Sequence, residues 1–379
     1  MKRVINFNPL SLREARIAKK KSMTDLATLL QISRQAISSY EKGDKSPSIK
    51  TIEKMSKILD KPISFFYIEK DRILQNESFY SFRSLSKTTK KDRESAIIKD
   101  KWLTDLYIYI NQYIEFPKVA VPDFNIDDLD EIDLDSIDQV AEDTRKIWGL
   151  SNHPISNIQQ LFENNGIVTA NIFMPSSLDA FSIWKTNNTP FILLSNNTYF
   201  GRHRFNLCHE LGHLILHRKL NGDLLLEKDV HKKVESQAHR FASAFLMPRD
   251  TFLQDIYSIS IESFIRVKER WKVSIQAIIY RLSDLGVINT EKQMSLRKRL
   301  SFLGYNKKEP LDSDIKSEKP VLIQKAIKFL IDQKILTPDQ FLYDIKLSVS
   351  DIIELTGLNT DFFDDKKSLN NIIQFNKRN

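Results

Sequence analysis

The spacing of apolar residues changes along the chain and separates helical regions from a mixed one. Residues 9–68 contain four short segments in which apolar residues recur every three or four positions, as on one face of an amphipathic helix. Ser22, Ser33 and Ser48 precede three of these segments, where a serine hydroxyl can accept hydrogen bonds from the unpaired amides of a helix N-terminus. The pattern therefore predicts a compact helical domain at the N-terminus.

Two further segments lie between this domain and the mixed region. Residues 79–116 are basic and have helical spacing, which predicts a connecting helical arm. Residues 119–143 are acidic with apolar residues interleaved, and we interpret them as a solvated linker that leads into a helix.

From about residue 154 the predicted elements include strands as well as helices. The segment NIQQLFENNG predicts a helix that ends at Gly166. Three short segments rich in β-branched and aromatic residues predict strands: IVTANIFM, DAFSIW and PFILLSN. If the third strand lies at a sheet edge, an extended peptide can pair with it. Further helices are predicted at about 200–217, 234–248, 251–303 and 319–363.

Length and composition limit the class of protein. The chain has 379 residues, 41% of them hydrophobic, so two or three domains with sizeable cores are expected. Cys208 is the only cysteine, which excludes an intrachain disulfide and a cysteine-rich zinc module. The N-terminal residues lack the apolar core of a signal peptide, and no apolar run reaches the roughly 18 residues of a membrane span. We therefore expect a soluble, cytoplasmic protein that does not bind membranes.

The net charge of +8 is concentrated at the N-terminus. Residues 1–70 contain 15 Lys and Arg against 7 Asp and Glu, whereas the rest of the chain contains 42 of each kind. A basic segment on a neutral body suggests an anionic partner for the N-terminal domain. A solvated lysine-rich surface is the alternative interpretation.

The predicted helix NLCHELGHLILH contains three of the seven histidines of the chain. His209 and His213 lie four residues apart, so both imidazoles project from one helix face and can bind one metal ion. Glu210 lies roughly 100° around the helix, where it can contact a water at the metal. HELGH matches the HExxH motif, in which two histidines bind zinc and the glutamate is the general base.

The third zinc ligand must come from elsewhere. His217 lies about 12 Å from His209 along a straight helix, which is too far for a shared ion with bonds of about 2.0–2.1 Å. We therefore expect His217 at the helix surface or the core edge. Glu235 in VESQAHRFASAFLMP is the better choice, because it shares a helix face with a small residue, Ala238, that allows close helix packing. Two imidazoles and one carboxylate leave a zinc position open to water, as in catalytic sites.

The two segments RFNLCHELGHLILH and ESQAHRFASAFLMP resemble the ImmA/IrrE family of bacterial and phage zinc metallopeptidases, over about residues 150–250. The resemblance implies one zinc ion per chain, with three ligands and a catalytic base: His209, His213, Glu235 and, as base, Glu210. Three more residues are candidates for contacts with the substrate or its transition state: His217, His239 and Arg204. His239 departs from the family, which usually has asparagine there. The alternative is a helix pair that binds no metal, and Cys208 is expected to pack in the core.

The N-terminal segment SMTDLATLLQISRQAISSY has the apolar spacing of a helix-turn-helix, with Ala27 where the two helices must nearly touch. Together with the following EKGDKSPS, residues 9–68 resemble the XRE/Cro family of DNA-binding domains. Gln31 and Met23 stand where that family usually has glycine and glutamine. The resemblance implies that double-stranded DNA is a partner of this domain.

The second helix of the motif is expected to enter the major groove. Arg34 and Gln35 lie at its start and can read base edges, arginine at guanine and glutamine at adenine. Four more contacts with DNA are expected, the two lysines at phosphates: Ser38, Ser39, Lys42 and Lys45. The alternative is a helical domain of the same pattern that binds a protein.

The combined prediction is an α+β, mostly helical protein. It has a five-helix N-terminal helix-turn-helix domain, a central zincin-like metallopeptidase domain with a small sheet, and a C-terminal helical region. The predicted boundaries are 1–70 for the helix-turn-helix domain, 71–150 for a helical connector and acidic linker, 151–250 for the peptidase core, 251–310 for its helical extension and 311–379 for a C-terminal helical domain.

Two functions fit these predictions. The first is a DNA-binding transcriptional regulator whose zinc-dependent peptidase cleaves a protein partner, such as a repressor or antitoxin, in a stress, phage or mobile-element response. The alternative is a non-hydrolytic regulator or antitoxin whose zincin-like domain senses a signal or a partner. Glu210 favours the first, because a pure sensor needs no base beside its ligands. The sequence leaves open whether the chain forms a homodimer.

Overall fold

The computed structural model describes residues 6–67, 89–126, 132–175, 178–196, 199–220, 227–306, 308–315 and 318–364. Its described part forms two compact units, of which the first is discontinuous in sequence. Unit 1 consists of the described residues up to 67, from 89 to 116 and from 321 onwards, and unit 2 consists of those between 117 and 320.

The described residues contain sixteen α-helices, one 3-10 helix and three strands, so the prediction of a mostly helical α+β protein is confirmed. In chain order the elements are α1 (Pro9–Ala18), α2 (Met23–Leu30), α3 (Arg34–Lys42), α4 (Ile49–Leu59), the 3-10 helix (Ile63–Tyr67), α5 (Lys90–Ile110), α6 (Leu134–Ile147), α7 (Ile158–Asn164), β1 (Val168–Ile172), β2 (Ala180–Trp184), β3 (Pro190–Ser195), α8 (Phe200–Leu216), α9 (Lys228–Leu246), α10 (Arg249–Gln254), α11 (Ile261–Trp271), α12 (Ile275–Asp284), α13 (Thr290–Phe302), α14 (Leu322–Asp332), α15 (Pro338–Ile345) and α16 (Val349–Thr356).

The helix N-termini of α2, α3 and α4 are capped by the serines that the sequence predicted. The hydroxyls of Ser22, Ser33 and Ser48 each accept a hydrogen bond from the backbone amide three residues later. Between α2 and α3, Gln31 has a left-handed backbone with a φ of 57°. This conformation costs roughly 1–2 kcal/mol for a residue with a Cβ atom, so the turn of the helix-turn-helix is strained.

Buried ion pairs join distant segments of unit 1. The Arg16 guanidinium donates two hydrogen bonds, of 2.5 and 2.8 Å, to the Glu41 carboxylate and so connects α1 to α3. Lys61, just after α4, pairs with Asp351 of α16, and its ammonium group lies 4.0 Å from the centre of the Trp102 ring on α5. The C-terminal helices therefore complete the unit that contains the helix-turn-helix.

The boundaries of the two units differ from the domain boundaries expected from the sequence. The segment expected as one connector, residues 71–150, is shared between them: α5 packs in unit 1, whereas α6 packs in unit 2. Residues 321–364, expected in a separate C-terminal domain, belong to unit 1. The reason is pairing between residues far apart in sequence, which apolar spacing does not reveal. Part of the expected arm, residues 79–88, lies outside the described residues.

The sheet of unit 2 contains the three predicted strands, in the order β1-β3-β2. β1 pairs with β3 in parallel, and β2 pairs with β3 antiparallel. Every residue of β3 is buried, as expected for a central strand. The PFILLSN strand therefore does not meet the condition for adding a peptide, because both of its sides are already paired. In the described sheet the strand at the edge beside α8 is β2.

The acidic segment 119–143 is a solvated linker only in part. Its later residues form the first part of α6, which packs against α9. Asp138 of α6 accepts hydrogen bonds of 2.6 and 3.0 Å from Arg240 of α9 and one of 2.9 Å from Arg281 of α12. Both arginines are buried and need an acidic partner, which explains why an acidic helix covers this side of unit 2. Residues 127–131 lie outside the described part of the chain.

The core of unit 2 is continuous from the sheet through α8 and α9 to α11, α12 and α13. The helices predicted as an extension at 251–310 therefore share the core of the region at 151–250. No described helix has both the length and the apolar character needed to cross a membrane.

Candidate metal centre

Helix α8 follows the central strand and carries the two histidines of the HELGH motif. His209 and His213 lie one turn apart on the same face, with their Nε2 atoms 3.1 Å apart. Two nitrogens that share a tetrahedral zinc ion through bonds of about 2.0–2.1 Å are expected roughly 3.3 Å apart. The histidine pair therefore has the spacing of two ligands of one ion.

Helix α9 lies unusually close to α8, which brings a third side chain to the pair. Gly212 of α8 contacts Ala238 of α9 so closely that a Cβ atom at position 212 would lie 3.2 Å from the Ala238 Cα atom. A side chain at position 212 would therefore push the two helices apart, and Ala238 is the small residue that the sequence predicted at the contact.

Glu235 of α9 completes a triangle of ligand atoms with the two histidines. Its Oε2 atom lies 3.6 Å from His209 Nε2, and its Oε1 atom lies 3.6 Å from His213 Nε2. Within the described residues, the buried atoms Glu235 Oε1 and His209 Nδ1 make no hydrogen bond. A buried carboxylate oxygen without a hydrogen bond costs free energy unless another group binds it. The donor set and the bare carboxylate oxygen fit a metal ion at this position.

The charges of the site stabilise one another. Burial alone would raise the pKa of Glu235, but the facing His209 and His213 imidazoles outweigh it and hold the pKa of this carboxyl well below its usual range. Burial would likewise lower the pKa of His213, whereas Glu235 and Glu210 raise it above its ordinary value. Glu235 is therefore ionised and attracts cations.

Glu210 is buried beside the ligands and is held by a residue of the sheet. The Ser182 hydroxyl of β2 donates a hydrogen bond of 2.6 Å to Glu210 Oε2. Glu210, His209 and His213 offer ligand-type atoms within 4.8 Å of one another. Sequence reasoning missed Ser182, although a polar residue in the apolar strand AFSIW was a signal that something there needs a hydrogen bond.

His239 and His231 flank Glu235 on α9, one turn to each side. His239 is exposed, its ring centre lies 4.5 Å from that of His209, and it forms a second possible metal group with His209 and Glu235. His231 was not predicted, and its Nδ1 atom lies 3.9 Å from Glu235 Oε1. Five of the seven histidines thus gather around this site.

The other two candidates for substrate contacts are held by hydrogen bonds within the protein. Arg204 is fully buried, where its guanidinium pairs with Glu318 and donates a hydrogen bond of 2.7 Å to the Ile155 carbonyl. His217 lies behind His213, with the two Nδ1 atoms 3.0 Å apart. Burial, with the charge of His213, lowers the pKa of His217 to about 3, so its imidazole is neutral. Arg204 therefore lies in the protein interior, and His217 is half-buried between His213 and Gln237.

Cys208 is buried among apolar residues of the unit 2 core. Burial raises the pKa of its thiol, so it stays protonated and is neither a metal-binding nor a nucleophilic thiolate. It packs in the core, as the sequence predicted.

The residues predicted to contact DNA lie along and just beyond α3. Arg34 is its first residue, and Arg34 and Gln35 are both exposed. The other four divide into two half-buried serines and two exposed lysines: Ser38, Ser39, Lys42 and Lys45. Ile37, on the opposite face, is fully buried. The helix therefore exposes polar and charged residues on one side and packs with its apolar side.

Comparison with known proteins finds two separate regions of the chain that match known families. Residues 12–66 match the helix-turn-helix family, and residues 163–283 match the IrrE N-terminal-like domain of peptidase family M78. No curated protein matches the chain. Among solved structures, a Mycobacterium tuberculosis transcriptional regulator is similar, with 15% identity and a TM-score of 0.31. The match covers 48% of this chain and 50% of that protein, so it spans about half of the regulator's length. From N- to C-terminus, the chain therefore carries an XRE-type helix-turn-helix domain followed by an IrrE/ImmA-like domain of a metallopeptidase family.

Proposed function

We propose that the chain is a DNA-binding regulator whose IrrE-like domain is a zinc-dependent endopeptidase acting on a protein partner. The observation that carries this proposal is the triangle of His209, His213 and Glu235 with the carboxylate of Glu210 beside it. Three protein ligands leave a position open, which is typical of catalytic rather than structural zinc. Bound zinc would supply Lewis-acid chemistry, polarising a carbonyl and making a water more acidic.

Glu210 acts as the general base in this proposal. Its hydrogen bond from Ser182 orients the carboxylate through one oxygen and leaves the other to accept a proton from the attacking water. The same carboxyl then delivers that proton to the leaving amine. Burial of Glu210 limits competition from bulk water for this oxygen.

The substrate is proposed to bind along β2. This strand is the sheet edge beside α8, and it carries the Ser182 that contacts Glu210. An extended peptide that paired with β2 would therefore pass next to the general base. A regulator with a DNA-reading domain fits a protein substrate such as a repressor or antitoxin, cleaved in a stress, phage or mobile-element response.

The peptidase proposal is tested with Glu210→Gln, which removes the proton acceptor and keeps the volume. Proteins encoded beside this gene are incubated with wild type or variant, and new N-termini are followed by mass spectrometry. Cleavage by the variant should be slower by about 10²–10⁴-fold, the usual scale for loss of a general base. Glu262→Gln, a change at an exposed position of α11, is the matched control and should cleave normally.

Two results would contradict the peptidase proposal. Equal cleavage by wild type and Glu210→Gln would remove Glu210 as the base. Absence of cleavage by either protein, together with full regulatory activity of Glu210→Gln in cells, would favour a non-hydrolytic sensor.

DNA recognition is proposed for the exposed face of α3. Arg34→Ala or Gln35→Ala should weaken binding to a cognate site by about 1–3 kcal/mol and relax base preference, because these side chains read base edges. Lys42→Ala is the contrasting variant, since loss of a phosphate contact should weaken all sequences equally and reduce the salt dependence. Selection of bound sequences from a DNA library measures the base preference. Binding titrations at several salt concentrations measure the affinity and its salt dependence. Unchanged preference in an Arg34 and Gln35 double variant would contradict the groove assignment.

A further inference from the structure

A line of hydrogen-bonding groups leads from the metal centre into the interior of unit 2. His213 Nδ1 lies 3.0 Å from His217 Nδ1, and His217 Nε2 lies 3.0 Å from the Gln237 Oε1 atom on α9. Gln237 Nε2 in turn donates to the Ile132 carbonyl at 3.4 Å. The line therefore starts on a proposed zinc ligand and ends on a backbone oxygen.

The backbone carbonyl determines the direction of every bond in this line. Because the oxygen of Ile132 can only accept, the amide nitrogen of Gln237 must face it, and the amide oxygen must face His217. His217 Nε2 is then the donor to Gln237. In a neutral imidazole only one nitrogen carries a proton, so His217 Nδ1 must be an acceptor.

The same logic assigns the proton of His213. Since His217 Nδ1 accepts, His213 Nδ1 donates, and a neutral His213 carries its proton there. Its Nε2 atom then has a bare lone pair. That atom lies 3.1 Å from His209 Nε2 and 3.6 Å from Glu235 Oε1, at the centre of the ligand triangle.

We propose that His217 and Gln237 are positioning residues that hold His213 in the tautomer able to bind the metal, before the metal arrives. This inference rests on the proposed zinc site. A neutral imidazole without a fixed partner exchanges its proton between its two nitrogens, and its ring can flip. In the wrong tautomer or the wrong ring orientation, the lone pair of the imidazole does not face the ion. A partner on the second nitrogen fixes both the tautomer and the ring orientation of a metal-binding histidine. His217 thus has a role other than the surface or core-edge packing that the sequence suggested.

His209 offers an internal contrast. Its Nδ1 atom is buried and makes no hydrogen bond within the described residues. Its Nε2 atom instead faces two acceptors, the bare Nε2 of His213 at 3.1 Å and Glu235 Oε2 at 3.6 Å, so no partner in the described part of the chain holds the His209 proton on Nδ1, whereas the line through His217 holds that of His213 there. The two proposed ligands from the HELGH motif therefore differ, because among the described residues only His213 has a partner that fixes its metal-binding tautomer before the metal binds.

The first experiment measures the tautomers directly. The full chain is labelled with ¹⁵N-histidine, stripped of metal with a chelator and studied by long-range ¹H–¹⁵N NMR at pH 8. We expect a single Nδ1-protonated form for His213 in wild type and a mixture of tautomers in Gln237→Leu. A proton on Nε2 of His213 in the wild type would overturn the inference.

The second experiment measures zinc affinity by competition with a chromophoric chelator. His217→Leu and Gln237→Leu should each weaken zinc binding by about 10–100-fold, the usual effect of losing a partner of a metal-binding histidine. His217→Gln is the matched rescue variant, because its amide oxygen can still accept the His213 proton. It should stay within about 3-fold of wild type, whereas a packing role of the imidazole ring would not distinguish glutamine from leucine in this way.

The outcomes separate this inference from the zinc proposal. If wild type binds no zinc, the proposed function fails, while the tautomer measurement still decides the inference. If wild type binds zinc and the two leucine variants bind it equally well, the inference fails and the metal site stands. Circular dichroism of each variant shows whether it folds, and the tautomer measurement on wild type needs no variant.

Discussion

The Ser182 hydroxyl on β2 donates a hydrogen bond of 2.6 Å to the carboxylate of Glu210 on α8. Without this donor, the buried carboxylate of Glu210 would lose a hydrogen bond, which costs free energy in a protein interior. The bond thus connects the edge of the sheet to the HELGH motif. It also explains why a polar residue occurs in an apolar strand.

Ser182→Ala is predicted to lower the free energy of unfolding of unit 2 by about 1–3 kcal/mol, because it removes a donor to a buried carboxylate. Urea unfolding followed by tryptophan fluorescence measures the loss. Ser243→Ala is a suitable control, since Ser243 is equally buried but its hydroxyl has no hydrogen-bond partner in the described residues. Equal losses for the two variants would argue against the Glu210 contact.

One zinc ion per chain is predicted, and its removal should destabilise unit 2. At free zinc about 1,000 times the dissociation constant, binding contributes about 4 kcal/mol to stability. Elemental analysis of protein purified without added metal, and thermal unfolding with and without chelator, test this. His213→Ala should lose both the metal and the chelator effect, whereas His153→Ala, at an exposed position, should keep both. Full metal retention by His213→Ala would contradict the ligand assignment.

Gln31→Gly is predicted to stabilise unit 1 by up to about 1 kcal/mol. The left-handed backbone at Gln31 strains any residue with a Cβ atom, and glycine relieves that strain at some cost in unfolded-chain entropy. Thr28→Gly, at an exposed position inside α2, should instead destabilise by roughly 0.5 kcal/mol. Chemical unfolding of the three proteins gives the comparison, and destabilisation by both glycines would show that the turn is unstrained.

A loss of stability on acidification is predicted from His203 on α8. Burial, together with the charge of Arg204, lowers the pKa of His203 from 6.5 to about 4. Between these pH values the unfolded chain takes up a proton that the folded chain does not, so stability is complete above pH 6.5 and falls as the pH drops towards 4. The loss from pH 7 to pH 5 should be about 2 kcal/mol.

The pH prediction is measured as the difference between wild type and His203→Gln, with both proteins in chelator so that metal release does not contribute. Glutamine has no proton to gain in this range, so the variant should lose about 2 kcal/mol less than wild type between the two pH values. Equal losses would show that His203 takes up a proton as readily in the folded protein as in the unfolded chain.

The parts of the site that lie on one helix were predictable from sequence. Helical period alone brings His209 and His213 together, and HELGH is rare enough to suggest their chemistry. Ser182 could not be assigned, because a serine in an apolar strand does not identify a carboxylate 28 residues away. The contact of His217 with Gln237 likewise depends on how α8 and α9 pack.

For the fold as well, local sequence patterns predicted the elements but not the contacts between distant segments. Segments rich in β-branched and aromatic residues predicted three strands, yet such segments do not specify the strand order, so the central position of β3 was not foreseen. Serine caps were predictable because they act within one turn of helix. The pairing of Lys61 with Asp351 spans 290 residues, and local patterns carry no information about it.

The discontinuity of unit 1 has a consequence for the timing of synthesis. The chain leaves this unit after residue 116 and returns to it at residue 321. At about 5–20 residues per second, a ribosome needs roughly 10–40 s to make the intervening segment. Throughout that interval Lys61 has been made but Asp351 has not. A chain that stops just before residue 321 therefore carries the region that matches the IrrE-like domain but lacks α14, α15 and α16, which complete unit 1.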